Sequence, residues 1–324
     1  MKRQTGVALI VVLWLVALLS LMAASFGLGI RREASLASVQ VRDASLLAAC
    51  EAGVHYATFM VNHPDPQLKW IADGTLKEWE WDGIKVRIRI FDESGKVDIN
   101  KAGPVLLKTV LKLAGVEEEE ADRLSDVIQD WRDGDQLRRL NGAESPDYVA
   151  AGLNYEPSNQ PFESIDELSM VMGMKPALFS ALLPWVTIYN KRNGINPLAA
   201  SAELLRALPG IDLEAVEQFI QAREQRQTQG QLAPPPQPLP QVEGVHFFSG
   251  SGHTYTALVR AESQQKTLSV YTVVKMLKDQ LRYLAWREGL PKSLFESPQP
   301  ESDLAPRSED TLLLKDLSPA AMTR

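Results

Sequence analysis

The sequence has few of the residue types that enzymes and metalloproteins use for chemistry. Its single cysteine, Cys50, excludes an intrachain disulfide. The histidines, at positions 55, 63, 246 and 253, show no H-E-x-x-H or similar spacing, which argues against a histidine-based zinc site. There is no glycine-rich phosphate loop, no G-x-S-x-G and no Cys/His pair, and nothing marks one pair of carboxylates as an acid/base couple. The chain is therefore predicted not to be an enzyme.

Positive charge is also in short supply. The 324 residues include 34 Lys and Arg against 41 Asp and Glu, a formal net charge of −7. A nucleic-acid-binding protein presents a basic surface to phosphate, and this composition gives no such footprint for the chain as a whole. With 45% hydrophobic residues, the chain is long enough for one large or two medium domains.

The N-terminus lacks charge over a long stretch. No charged residue occurs from Gln4 to Ile30, and roughly 20 apolar residues suffice to span a bilayer. Lys2 and Arg3 precede this run, and basic flanks stay in the cytoplasm, so the rest of the chain is expected outside the cytoplasm. Three interpretations remain open on these grounds: an uncleaved anchor, a signal peptide cut near Ala23-Ala24-Ser25, and a leader cut after Gly6.

The sequence after Ile30 predicts that one helix continues far beyond the apolar run. No proline or turn cluster occurs before Asn62-His63-Pro64, and Ala, Leu, Glu and Arg dominate. An apolar stripe at nearly helical spacing runs through Leu36, Val39, Leu46, Leu47, Cys50, Val54 and Ala57. A single helix is therefore expected from Val7 to about Val61, apolar in its first half and amphipathic in its second.

The N-terminal residues resemble those of type IV pilin-like prepilins: a short basic leader, Gly6, and then VALIVVLWLVALLSLMAA. The resemblance implies cleavage by a prepilin peptidase between Gly6 and Val7. Most pilins have glutamate as the fifth mature residue, whereas this position is Val11 here. That departure matches one subfamily, the minor pseudopilin K proteins of type II secretion (general secretion pathway protein K).

Two regions of the chain predict β-structure. In residues 76–91, Val86, Ile88 and Ile90 alternate with Lys85, Arg87 and Arg89, which is the period of a half-buried strand. A second pair of β-rich segments lies within residues 253–277. The predicted fold class is α+β: the long helix packs on a small antiparallel sheet, and the resemblance makes this head pilin-like. The head comprises residues 63–94 and 243–289, after a leader at 1–6 and the pilin helix at 7–62.

Between the two β regions, residues 95–225 read as a large, all-helical insert. Two segments echo one another, DINKAGPVLLKTVLKLAGV and GINPLAASAELLRALPGI, and both resemble helix-hairpin-helix (SAM-like) elements. Such hairpins bind DNA phosphates in other proteins, so a membrane-anchored DNA-uptake protein is the alternative function. Glu117–Glu120 follow the first hairpin directly and would repel phosphate, which argues against it. A Pro/Gln-rich linker at 226–242 and a disordered tail at 290–324 complete the predicted organisation.

Oxygen donors are concentrated in the segment QDWRDGDQLRRLNGAESPDYVAAG. They are Asp130, Asp133, Asp135, Glu144 and Asp147. Calcium takes six to eight oxygen ligands, often on a loop that leaves a helix, although the D-x-x-D-x-D spacing is not that of an EF-hand. A solvated acidic loop balanced by Arg132, Arg138 and Arg139 is the alternative interpretation. The family resemblance favours calcium in a structural role, since pseudopilin K inserts are associated with this ion.

The resemblance also implies where the protein acts and with what. The chain is expected in the bacterial inner membrane as a single-pass protein with its head in the periplasm, at the tip of the type II secretion pseudopilus, where it would help to start assembly. The implied partners are the minor pseudopilins I and J, with H as a further one, the prepilin peptidase and the inner-membrane assembly platform. No nucleic-acid partner is expected.

Overall fold

The computed structural model describes residues 5–229, 236–250, 253–263, 266–278 and 280–296. The α-helices are α1 (Thr5–Val61), α2 (Pro104–Leu113), α3 (Glu118–Arg132), α4 (Ser145–Ala150), α5 (Pro176–Leu182), α6 (Ala202–Arg206) and α7 (Leu213–Gln229). The strands are β1 (Lys77–Trp81), β2 (Ile84–Asp92), β3 (Val97–Asp98), β4 (Val186–Thr187), β5 (Thr254–Glu262), β6 (Thr267–Leu277) and β7 (Gln280–Glu288).

A five-stranded antiparallel sheet in the order β1-β2-β5-β6-β7 packs against the second half of α1. The alternation in β2 is confirmed, because Val86, Ile88 and Ile90 are buried on the side that faces α1. Gly53 brings the helix close to the sheet: a Cβ there would lie 2.8 Å from Cγ1 of Val259. The predicted mixture of a long helix and an antiparallel sheet is therefore confirmed.

Strand β7 was not among the strands that the sequence predicts. It pairs with β6, and the register shifts between Val273 and Val274, which leaves Leu284 as an extra residue opposite them. A bulge of this kind places neighbouring residues out of the simple two-residue alternation. The pattern of β7 is therefore not that of a regular half-buried strand, and among the described strands it forms an edge of the sheet.

The insert packs on the opposite face of the sheet and is helical for the most part. Its core joins apolar side chains of α2, α3, α6 and α7 to Leu258, Tyr271 and Val273 of the sheet. The expectation of an all-helical insert is wrong in one detail, because β3 and β4 form a short parallel ladder. Residues Ile165–Met170 form a 3-10 helix, which the Ser164 side chain caps by accepting a hydrogen bond from the backbone N–H of Asp166. Helix α4 was not predicted.

Buried polar contacts fix the insert to the sheet. The Glu93 carboxylate, directly after β2, accepts hydrogen bonds from Thr187 and Thr256 and lies 3.3 Å from Lys96 Nζ. On α7, Arg223 Nη2 lies 2.7 Å from Asp73 Oδ2, in the segment between α1 and β1. The insert is thus held from both of its ends.

Two segments that the sequence predicts to be irregular are in part ordered and packed against the rest of the protein. Within the predicted linker 226–242, α7 continues to Gln229, and Leu239 and Val242 are buried against the insert core; residues 230–235 lie outside the described part. The predicted disordered tail begins with an ordered stretch, since Lys292–Phe295 form a 3-10 helix in which Phe295 is buried. Residues 297–324 lie outside the described residues.

Candidate metal centre

The acidic segment begins at the C-terminus of α3 and ends at the N-terminus of α4. Apolar residues of α3, among them Leu124, Val127 and Trp131, are buried in the insert core. The helix ends at Arg132, and the next residue, Asp133, has an extended backbone. The chain then crosses an irregular loop to Glu144, which precedes α4. Because one end of the loop is fixed by α3 and the other by α4, acidic side chains from both ends meet.

Three of the five predicted ligands come together. One carboxylate oxygen each from Asp133, Asp135 and Glu144 lie within 4.8 Å of one another. Glu144 is 3% exposed, Asp133 is half-buried and Asp135 is exposed. The cluster is therefore open to solvent on the Asp135 side and closed on the Glu144 side.

Glu144 is the residue in this cluster whose charge is hardest to accommodate. Neither of its carboxylate oxygens has a hydrogen-bond partner among the described residues. The buried Oδ1 of Asp133 also has no partner among them. Burial, together with the negative charges of Asp130, Asp133 and Asp135, raises the pKa of Glu144 to about 7. Burying an unpaired carboxylate is costly unless a cation or a hydrogen-bond donor compensates it. Unpartnered carboxylate oxygens at this spacing fit a calcium ion, which prefers such ligands.

Asp130 lies beside the cluster and is held by Arg139. The guanidinium Nη1 of Arg139 is 2.6 Å from Asp130 Oδ1, and it also donates to Asp133. The backbone N–H of Arg139 donates to Asp130 Oδ2 at 3.2 Å. Burial raises the pKa of Asp130 in spite of these donors. Arg139 therefore bridges Asp130 to one of the clustered carboxylates and supplies part of the charge that the cluster needs.

Asp147 caps α4 and is outside the group of three. Its Oδ2 accepts a hydrogen bond from the backbone N–H of Glu144 at 2.9 Å, and Arg138 Nη1 lies 3.0 Å from its Oδ1. The Glu144 N–H and the Arg138 charge lower the pKa of Asp147. Its position is explained by the cap, which fixes the backbone of Glu144 and thereby the direction of the buried carboxylate.

The arginines of this segment have separate roles that the sequence does not distinguish. Arg138 and Arg139 contact Asp147 and Asp130, as a charge-balanced loop requires. Arg132 instead donates to the carbonyls of Ile99 and Ala102, the latter at 2.6 Å, and so fixes the start of the insert. The position of the Asp130 carboxylate also depends on Gly142, because a Cβ there would lie 1.8 Å from Asp130 Oδ2.

The predicted cleavage site lies at the start of α1. The helix begins at Thr5, so Gly6 and Val7 are helical, and residues 1–4 of the predicted leader are outside the described part. From Val11 to Met22 the apolar side chains are 52–74% exposed. By length and hydropathy, the stretch Asp43–Val61 could also cross a membrane, but 44% of it is buried, and its buried residues pack on the sheet. The stretch Val11–Met22 is therefore the part of α1 whose apolar side chains are not packed against other described residues of the protein.

Comparison with known proteins gives a consistent result. Residues 91–191 match the family model of type II secretion system (T2SS) protein K, a range that contains every carboxylate of the candidate centre. Among curated relatives, the type II secretion system protein K of Pseudomonas aeruginosa is 29% identical over 68% of this chain and 73% of its own length. The protein K of Dickeya chrysanthemi is 35% identical, over 36% of this chain, and that of Klebsiella pneumoniae is 37% identical, over 35%.

The matched part of this chain spans about a third of the length of the last two relatives, 34% and 37%. The fold is similar to that of a chain in the crystal structure of the GspK-GspI-GspJ complex from the type 2 secretion system of enterotoxigenic Escherichia coli. The TM-score is 0.53 at 14% identity, over 78% of this chain and 98% of that one. The family model and these relatives agree, and the chain is similar to type II secretion system protein K.

Proposed function

We propose that this protein is a minor pseudopilin at the tip of the type II secretion pseudopilus, where it helps to start assembly. The observation that carries the proposal is the continuous helix α1, which leaves the apolar side chains of Val11–Met22 exposed while its second half packs on the sheet. Such a helix suits a subunit that is stored in a membrane and then packs beside other subunits. The minor pseudopilins I and J, and H as a further one, are the proposed partners. In the Escherichia coli crystal structure, the K chain is in a complex with GspI and GspJ.

Two features favour the tip over the shaft of the filament. A pilin subunit docks its fifth mature residue, a glutamate, onto the subunit above, and this chain has Val11 there instead. The uppermost subunit has no neighbour above it, so it does not need this carboxylate, which is expensive to place in hydrocarbon. The insert also adds a second layer to the sheet face opposite α1, and this breadth would obstruct regular stacking.

The candidate centre is proposed to bind calcium in a structural role, with Asp133, Asp135 and Glu144 as protein ligands. The ion would supply the positive charge that their unpartnered oxygens lack. Asp130 and Asp147 would not be ligands. Asp130 would support the site through Arg139, and Asp147 would support it through the cap of α4. The loop between α3 and α4 would then be fixed by the ion as well as by its arginines.

The DNA-uptake alternative is not favoured. The first hairpin turns at Gly115, and the helix that follows begins with the acidic residues Glu118, Glu119 and Glu120. Lys112, the nearest cation of the preceding helix, is paired with Glu118. A hairpin that binds phosphate needs an accessible positive charge, and here the cation is neutralised by an acid.

The experiment that tests the proposal is the mass of the mature N-terminus, purified from cells with and without a prepilin peptidase. The proposal requires a chain that starts at Val7 when the peptidase is present and retains Met1–Gly6 when it is absent. A chain that starts near Ser25, or at Met1 in both strains, would remove the pilin-like assignment. In this proposal, the prepilin peptidase removes the leader at the inner membrane. The inner-membrane assembly platform then takes part in assembling the pseudopilus.

A further inference from the structure

The loop between α3 and α4 holds two leucines in solvent. Leu137 is 79% exposed and Leu140 is 91% exposed. The backbone that carries them is tied down: Leu137 N–H donates to Asp135 Oδ1 at 2.8 Å, Arg138 pairs with Asp147, and Arg139 pairs with Asp130. These contacts hold the backbone of the loop in place, while its largest apolar side chains face outwards.

Leu140 also forms one wall of a cleft of about 490 Å³ between this loop and the first turn of α3. Acidic residues line the other wall: Glu117, Glu119 and Glu120. Two cations lie in the cleft, but Arg123 is paired with Glu120 at 2.6 Å, and Arg138 is paired with Asp147 at 3.0 Å. Glu117 and Glu119 form no ion pair within the described part of the chain, so the cleft has a net negative charge.

A single exposed leucine needs no explanation, because much of any protein surface is apolar. Here two leucines on a fixed loop adjoin a cleft with unneutralised carboxylates. A membrane with anionic lipids, or a nucleic acid, would be repelled by this charge. A polypeptide with apolar and basic side chains in alternation would cover the leucines and neutralise the glutamates together.

We propose that Leu137, Leu140 and the acidic cleft beside them form a docking surface for a basic, apolar segment of a partner protein. The leucines would contribute most of the affinity, because burying such a side chain stabilises a complex by roughly tenfold or more in Kd. Glu117 and Glu119 would select the charge of the partner and speed its approach. The surface belongs to the insert, so the inference goes beyond the proposed role of α1 in assembly and does not depend on it.

The test uses the full chain in nanodiscs of zwitterionic lipid, with empty nanodiscs as the blank. The probe is a fluorescent eight-residue peptide in which leucine and lysine alternate, and its partner peptide has glutamate in place of lysine. Fluorescence anisotropy gives Kd for the wild type, for Leu137→Gln/Leu140→Gln and for Glu117→Gln/Glu119→Gln. The matched control is Leu68→Gln/Leu213→Gln, because these leucines are 53% and 57% exposed at other places in the fold.

The wild type and the control variant should bind the leucine–lysine peptide equally, and the glutamate peptide should bind neither. The Leu137/Leu140 variant should lose at least tenfold in affinity, and the Glu117/Glu119 variant should lose affinity and salt dependence together. The proposal is overturned if the wild type binds no better than empty nanodiscs, or if either cleft variant binds as tightly as the wild type. An equal loss in the control variant would likewise overturn it.

Discussion

Glu144 carries its charge where the described part of the protein offers its carboxylate no hydrogen-bond donor. Replacing it by glutamine removes that charge and keeps the volume of the side chain. Without calcium, we expect Glu144→Gln to be at least as stable as the wild type, because burial and three neighbouring carboxylates disfavour the charged form. At a free calcium concentration of 100 times Kd, the wild type should gain about 2.7 kcal/mol in the free energy of unfolding, and the variant should gain little. Thermal unfolding with calcium, magnesium or chelator measures both effects.

The control for this experiment is Glu156→Gln. Glu156 accepts a hydrogen bond from Ser145 at 3.0 Å and is exposed, so it leaves the clustered carboxylates intact. Its melting temperature should rise with calcium as that of the wild type does. If Glu144→Gln keeps the full calcium-dependent rise, Glu144 is not a ligand and the proposed centre must be abandoned.

Gly142 gives a second prediction at the scale of one residue. A Cβ at this position would lie 1.8 Å from Asp130 Oδ2, so Gly142→Ala must displace the buried carboxylate from its contacts with Arg139. We expect a loss of about 1–3 kcal/mol in the free energy of unfolding, which is the usual cost of disturbing a buried hydrogen-bonded group. Gly134→Ala, on the same loop, has no atom within 4 Å of its Cβ and should change stability little. Equal urea midpoints for the two variants would contradict this account.

The residues of the candidate centre show what a sequence can predict. The crowding of acids between α3 and α4 was visible, and three of the five predicted ligands do come together. Burial was not visible: Asp130 and Glu144 are both buried, yet the first is paired with Arg139 and the second has no partner among the residues that the structure describes. Which carboxylate pairs with Arg139 depends on the path of the loop. That path leaves no room for a Cβ at position 142, and the spacing of the acidic residues in the sequence does not reveal this.

At the scale of elements, Arg223 connects α7 to the segment between α1 and β1. Its guanidinium lies 2.7 Å from Asp73 Oδ2 and donates to the carbonyl of Ala200 at 2.7 Å, and burial lowers its pKa. Arg223→Met should cost about 3–5 kcal/mol, because it leaves the buried Asp73 carboxylate without its cation. Urea unfolding of the full chain, followed by tryptophan fluorescence, measures this loss.

The matched control is Arg206→Met. Arg206 pairs with Glu217 at 2.6 Å, but both side chains are nearly half exposed, so we expect a loss below about 1 kcal/mol. Adding Asp73→Asn to Arg223→Met should recover part of the lost stability, since the unpaired charge is then gone. Similar losses for Arg223→Met and Arg206→Met would mean that the buried pair does not fasten the insert.

The elements that the sequence did not predict share a physical reason. Strands β3 and β4 are two residues each and pair across 89 positions of the chain, from Val97 to Val186, so no local pattern announces them. Strand β7 contains a bulge at Leu284 and lies at the edge of the described sheet, and the bulge breaks its alternation. The second half of helix α1 and strand β2, by contrast, bury one regular face each, so local sequence patterns predict both elements.

At the scale of the whole molecule, the sheet lies between two layers. Helix α1 covers one face and the insert covers the other, and each layer has its own hydrophobic core. The residues that pack α1 on the sheet begin at Leu46, far from the exposed Val11–Met22 stretch. At about 1.5 Å per residue, the helix is roughly 85 Å long, so the head and the apolar stretch are well separated. In the proposed role, a subunit of this shape would stay in a membrane while its head contacts other proteins.

The same shape gives the last prediction. Expressed without other pseudopilins, the full chain should not polymerise, because Val11 provides no carboxylate for docking and the insert broadens the head on the side opposite α1. Negative-stain electron microscopy of membranes from such cells should show no filaments, whereas a major pseudopilin of the same system, expressed alone, should form them. Val11→Glu alone should not produce filaments either, since the insert would still obstruct stacking. Long regular filaments of the unmodified chain would be incompatible with a subunit that occupies only the tip.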